Sequence, residues 1–417
     1  MSPGRRAGKG TCDLPAAFRR LGDRLRQDWR AVYGAALILW GVEALLFLLT
    51  RTGPLVSDMA AYWASGTADI RTHVLGTYFP PLYPLLTIPF HHWGGPAGLA
   101  AAQTGMAFLL VLGVAWYLRR AAGIATGAIF LAANALFPIL LLYARFVLTD
   151  DWMVLALFGW VLLADLADRQ GQDWLFAAGG VCLGVGAAIR PEPVAVGALA
   201  AVWLLLRRRP LPALYTVAPI AAESIGFGAY TRAVGGVVVG SQQGFWQTLW
   251  QGNNPRAFGF YVPLEPAQAA PAVYRHLFLT WLAGHPLRFV LLCLARAVEF
   301  WFSSPQFVQL LAVQTHVVPW PWVVLSGLAT GASTLAFFWG VRRLYGEGRL
   351  AAATWALIAV AGNWWFCVPF LVGGRFREDA LPFALAVVAL AWGRRPTPCG
   401  ARRADAASGR LPDEVSA

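Results

Sequence analysis

The sequence predicts an all-α polytopic membrane protein of about ten transmembrane helices. Three observations carry this expectation. Of the 417 residues, 58% are hydrophobic and only 13% are charged, roughly half the charged share of a soluble globular protein. Apolar runs close to the ~20 residues that cross a bilayer recur along the chain. The arginines between the runs gather in clusters that follow a single orientation. A disordered chain, a secreted disulfide scaffold and an ordinary cytosolic enzyme are excluded. A large soluble helical core would need polar helix faces, and these runs lack them.

In chain order, residues 1–30 carry Arg5, Arg6, Lys9, Arg19, Arg20, Arg24, Arg26 and Arg30. This stretch reads as a cytoplasmic basic arm against the anionic inner leaflet. No small-residue cleavage site follows the first apolar run, so it is not a cleavable signal peptide. One transmembrane domain is expected over 31–395. Seven spans come first: Ala31–Thr50, Gly98–Leu118, Ile124–Ala144, Trp152–Ala167, Trp174–Ile189, Val194–Leu206 and Pro212–Tyr230. Three close the chain: Val318–Trp339, Ala351–Val372 and Ala380–Trp392. Residues 396–417 are expected to form a disordered cytoplasmic tail.

Placing Arg119–Arg120, Arg207–Arg209, Arg342–Arg343 with Arg349, and Arg394–Arg395 inside puts both termini in the cytoplasm. The outer loops are then about 51–97 and 231–317. Pro286–Ser303 is apolar but carries Arg288, Arg296 and Glu299. It must lie at the interface or re-enter, because a full span would invert the last three helices. The net charge of +12 thus reports orientation and anionic lipid, and calls for no nucleic acid. Cys12, Cys182, Cys293, Cys367 and Cys399 have no metal-thiolate or disulfide spacing and read as small packing residues.

The outer face holds the candidate site. Asp58 follows the first span, with Tyr62 one helical turn later and a Pro-rich stretch from Tyr78 through Tyr83. Asp150 and Asp151 are adjacent between two spans. Arg190 and Glu192 lie in Arg-Pro-Glu-Pro, and Arg375 and Arg377 in Gly-Gly-Arg-Phe-Arg-Glu-Asp. Asn253 and Asn254 form a turn among aromatics and have amides for sugar hydroxyls. His91 and His92 are read as interfacial or sugar-contacting. Each candidate has a plainer reading. The acids can cap helices, and the arginines can pair with Glu192, Glu378 or Asp379 instead of binding phosphate. Glu43 and Glu223 lie within spans, where carboxylates face a cavity or a partner.

In their order and common placement these motifs resemble the GT-C glycosyltransferases, multi-span enzymes that use polyprenyl-phosphate sugars. The likeness is greatest to the protein O-mannosyltransferase-like and aminoarabinose transferase-like branch. It runs from about Ala31 to Trp392. It rests on Asp58 with Tyr62, the Tyr78–Pro84 stretch, Asp150–Asp151, Arg190–Pro191, the Tyr274–Phe302 run, and Arg375-Phe376-Arg377 followed by Pro382. At the first motif Met59 stands where the family often has a second acid.

The resemblance implies a GT-C-like bundle with juxtamembrane helices on its outer face. It implies transfer of a sugar from a polyprenyl-phosphate donor to a glycan, lipid or protein hydroxyl, as in cell-envelope assembly at the bacterial inner membrane. Asp58 would be the general base. Arg190, Arg375 and Arg377 would bind the donor phosphate. Tyr62, Tyr78, Tyr83, Asp150, Asp151, Asn253 and Asn254 would contact substrate. The resemblance fixes no cofactor; a divalent metal is one option, with Asp58, Asp150 and Asp151 as its candidate ligands. The rival reading is a multi-span transporter or lipid flippase, which the intramembrane acids would suit. It predicts two related halves, and no internal repeat is visible.

Overall fold

The computed structural model describes residues 28–49, 55, 58–72, 80–235, 243–256, 271–302, 320–370 and 374–393. The basic arm, the tail and Tyr78 lie outside the described residues, as do the side chains of Arg375 and Arg377. Every regular element described is helical: α1 (Trp29–Leu49), α2 (Asp58–Thr72), α3 (Leu82–His92), α4 (Gly95–Ala122), α5 (Ile124–Leu136), α6 (Ile139–Ala144), α7 (Asp150–Gln170), α8 (Trp174–Ala187), α9 (Glu192–Leu206), α10 (Pro210–Gly235), α11 (Gln243–Gly252), α12 (Pro271–Gly284), α13 (Pro286–Phe302), α14 (Trp320–Gly346), a 3-10 turn (Leu350–Ala353), α15 (Thr354–Cys367) and α16 (Gly374–Trp392).

The bundle is organised around α16, which is buried at every position from Asp379 to Ala391. A helix that is apolar all round belongs in an interior. It packs on α5, α7, α14 and α15, while α7–α10 form a second packed group that α15 joins through α9. Gly362 lets α15 approach α9 closely: a Cβ there would lie 2.6 Å from the Val196 Cα. The outer surface is strongly apolar. Ile38 is 69% exposed, Leu206 75% and Leu328 67%, as suits helices facing lipid rather than water.

Among the described residues four segments are long and apolar enough to cross a bilayer: Trp29–Leu49, Gly95–Ala122, Val323–Gly346 and Leu350–Cys367. A fifth arises if α12 and α13, which meet at 103° around His285, count as one broken span. The chain is therefore an α-helical membrane protein in which four or five spans are shown among the described residues, four of them among the ten expected. For α7 and α10, 21 and 26 residues long, composition sets them apart; for the other four the difference is one of helix length. The helices Ile124–Leu136, Trp174–Ala187, Glu192–Leu206 and Asp379–Trp392 are apolar but short. At 1.5 Å per residue, fifteen residues rise only about 22 Å, against a hydrocarbon core of about 30 Å.

The basic clusters do come together at one end. Arg209 pairs with Asp168 at 2.6 Å and Asp173 at 2.7 Å. The Trp355 indole donates to the other Asp168 oxygen at 2.9 Å. Arg349 pairs with Glu347 and donates to the Leu390 carbonyl at 2.7 Å. Tyr117 donates to Asp165, which also takes the Arg169 guanidinium. At the opposite end lie the starts of α7 and α9, the end of α15 and the first turns of α16. Cysteines placed at Gln170 and at Arg256, in a background with the native cysteines replaced by serine, should therefore label from opposite sides of the membrane. Labelling of both by an impermeant maleimide from one side would contradict this architecture.

Candidate functional site

At that second end one arginine gathers acids from three distant parts of the chain. Arg190 is 6% exposed. One terminal nitrogen donates to Asp150 at 2.8 Å and to Asp379 at 3.0 Å, and the other donates to Glu192. Asp150, Asp379 and Glu192 are all 3% exposed or less. The plainer of the two sequence readings thus describes Arg190 here: its guanidinium is engaged by carboxylates.

Local structure makes this arrangement tolerable. Thr149 occupies the α7 N-cap position, without a side-chain cap bond, and Asp150 and Asp151 fall in the first turn. Glu192 begins α9, two residues after Arg190. Helix N-termini favour negative charge, so two helix starts support the carboxylates that burial disfavours. Pro191 breaks the chain between α8 and α9 and lets Arg190 turn inward.

Asp151 is different. It is 2% exposed, and neither carboxylate oxygen has a hydrogen-bond partner. Gln103 lies against it, but that amide nitrogen donates to the Phe146 carbonyl at 3.1 Å and the Leu148 carbonyl at 3.4 Å. Burial first, then the neighbouring Asp150 charge, push the Asp151 carboxyl well above the usual carboxylate range.

Aromatic residues extend the site. The Tyr83 hydroxyl donates to the Gln103 oxygen at 3.3 Å, and the Tyr62 ring meets the Tyr83 ring edge-on at 5.0 Å. The Leu82 amide donates to the Ala188 carbonyl at 3.0 Å, tying the start of α3 to the Arg190 turn. His91 stacks on Trp63 at 3.8 Å, on the face where α2 docks on α3. Asp58 begins α2 and is exposed, while Met59 beside it is buried.

Of the residues chosen from the sequence, Tyr62, Tyr83, Asp150, Asp151 and Arg190 converge. Arg375 and Arg377 lie on α16 within four residues of Asp379. Asn253 and Asn254 belong to a neighbouring cluster. Asn253 is fully buried, donates to the Leu249 and Pro369 carbonyls at 2.8 Å and accepts from Arg296 at 3.1 Å. Its amide is thus committed to the protein.

Sequence reasoning missed Gln103, although a glutamine inside an apolar run was a visible signal. It took Asp379 only as an arginine partner. Among the described residues no group of three or more His, Cys, Asp or Glu side chains has metal-binding geometry. The ion pair that ties Asp150 to Arg190 also opposes a cation there.

The Asp151 carboxyl makes stability depend on pH. The unfolded chain loses this proton in the ordinary carboxylate range, and the folded chain holds it to higher pH. Folded stability therefore falls as pH rises through that interval. Asp151→Asn should abolish this fall. In detergent the variant should melt at a higher temperature than wild type at pH 8, and at the same temperature as wild type at pH 4. A variant less stable than wild type at pH 8 would show that Asp151 is a satisfied anion.

No family model, curated protein or solved structure matches this chain, so the site is interpreted from its own geometry.

Proposed function

We propose that this chain is an integral membrane glycosyltransferase. It would move a sugar from a polyprenyl-phosphate donor to a hydroxyl of a glycolipid, polysaccharide or protein. Supporting this is one observation above the rest. Ion-paired carboxylates, a buried carboxyl without a hydrogen-bond partner, two tyrosines in edge-on contact and the arginine-bearing start of α16 meet at the bundle end opposite the basic clusters. With the arginine-rich end cytoplasmic, that site faces outward from the plasma membrane, and the ten apolar runs are the spans and half-spans around it.

The roles follow from position. Asp58, exposed at the first turn of α2, takes the acceptor proton as the acceptor oxygen bonds to the anomeric carbon. The lipid phosphate leaves with the electrons of the broken bond. Arg375 and Arg377 neutralise that phosphate. Tyr62 and Tyr83 offer the surface on which a sugar face rests. Asp151, holding its proton, donates a hydrogen bond to substrate, and Gln103 orients it. Arg190 is a positioning residue that fixes Asp150, Glu192 and Asp379 and with them the three helix starts.

Asp58→Asn should lower sugar transfer from a labelled polyprenyl-phosphate sugar in membranes by at least about 100-fold, the ordinary contribution of a general base. The variant should insert and melt like wild type. Full activity of the variant would remove Asp58 from the chemistry. Buried carboxylates with a bound proton also suit a proton-coupled transporter. Wild-type membranes inactive with every such donor, yet taking up solute with protons, would establish that reading instead.

A further inference from the structure

Arg296 is the largest charged side chain fully removed from solvent, at 0% exposure. It projects from α13, whose two faces differ sharply. Leu292, Arg296 and Phe300 are buried along one face, while Leu287, Leu291, Leu294 and Val298 are each more than half exposed along the other. Among the described residues no carboxylate forms an ion pair with the guanidinium, although the Glu299 charge on the same helix acts on it. It donates instead to the carbonyls of Gly252, Val368 and Pro369 and to the Asn253 side-chain oxygen.

These acceptors belong to two separate segments. Gly252 and Asn253 end a strap formed by α11 and the turn to Arg256. Val368 and Pro369 follow Cys367, which stands beside Glu192, Arg190 and Asp379. The strap and the turn are joined further. Asn253 donates to the Pro369 carbonyl, and the Phe245 ring meets the Phe370 ring edge-on at 4.9 Å. Gly252 lies so close to the Phe370 carbonyl that a Cβ would collide with it. Two residues beyond Asn253, Arg288, also on α13, donates to the Pro255 carbonyl at 2.8 Å.

From this we infer that Arg296 is the bolt of a cover: it holds the strap Gln243–Arg256 on the Cys367–Phe370 turn and thereby closes the acid cluster from that side. The bolt is carried by a helix whose opposite face is apolar and exposed, so closure is tied to how α13 lies in lipid. The cover belongs to either functional reading, and its test requires no sugar donor. Unlike an ion pair, a bolt made to carbonyls is released by moving backbone, and no proton need change hands.

The test uses full-length protein in native membranes, retaining Cys182 and Cys367 with the other cysteines changed to serine, and an impermeant maleimide. In this background Cys367, 1% exposed, should be inert. Arg296→Ala should raise its alkylation rate by about tenfold or more, as local opening does for a protected group, and leave Cys182 in α8 unchanged. Gly252→Val, which lifts the strap from its own side, should do the same and carries the test if Arg296→Ala fails to accumulate. An unchanged Cys367 rate overturns the inference. So does a rise shared equally by Cys182, which would report general loosening.

Discussion

The guanidinium of Arg190 is the constraint on which one end of this bundle depends. It holds Asp150, Glu192 and Asp379 at one point, although they lie 40, 2 and 189 positions away in sequence. Three helices, α7, α9 and α16, begin there. Removing one partner from a buried ionic group of this kind typically costs about 3–5 kcal/mol, because the remaining charges stay buried without compensation. Arg190 is shared by three carboxylates, so its loss would remove one buried ion pair from each. Replacing the whole group with apolar residues could be neutral for stability. Its presence is therefore better explained by what it arranges than by what it stabilises.

The two ends of the bundle treat charge in opposite ways. At the basic end, arginines meet carboxylates in pairs that remain partly exposed: Arg209 is 31% exposed beside Asp168 and Asp173, and Arg169 is 42% exposed. Such pairs contribute little to stability and are compatible with a solvated membrane surface. At the other end Asp150, Glu192 and Asp379 share Arg190 and are withdrawn from solvent. One helix, α7, joins the two, with Asp150 and Asp151 at its start and Asp165, Asp168 and Arg169 near its end. Its 21 residues rise about 30 Å, the depth of the hydrocarbon layer. A helix need not be apolar throughout to cross if its charges lie at its two ends and meet partners there.

How far the sequence could reach follows from these same residues. The membrane class was legible because it depends on composition. The end-to-end sorting was legible because arginine position reports sidedness. Tyr62, Tyr83, Asp150, Asp151 and Arg190 could be chosen together because each is polar or amphipathic beside an apolar run. The engagement of Arg190 could not be read. Asp379 is remote in sequence, and whether an arginine meets phosphate or carboxylate is decided by packing. Asn253 shows the same limit: its turn was visible, but its commitment to Arg296 and Pro369 is a tertiary fact. Spans were easier to detect than to count, because hydropathy measures how apolar a segment is and not how long its helix runs: Ile124–Leu136 and Trp174–Ala187 are apolar but short.

A buried acid cluster raises a problem of access that either functional reading must meet. Two structures border it. On one side α2 and α3 dock on the α6–α7 connection through Met59, Tyr62, Tyr83, Phe146 and Leu148, an apolar contact. On the other the strap is fastened to the Cys367–Phe370 turn by donors aimed at backbone carbonyls. Apolar contacts tolerate small sliding, because they are non-directional. Hydrogen bonds to carbonyls lose most of their strength when misaligned. The first border is thus suited to adjust around a substrate, and the second to be either closed or open. Asp58 lies on the adjustable side and Arg296 on the two-state side, with Asp151 between α4 and Arg190. In the proposed transferase, an acceptor approaching from water would meet Asp58 first and a lipid-borne donor the α13 side.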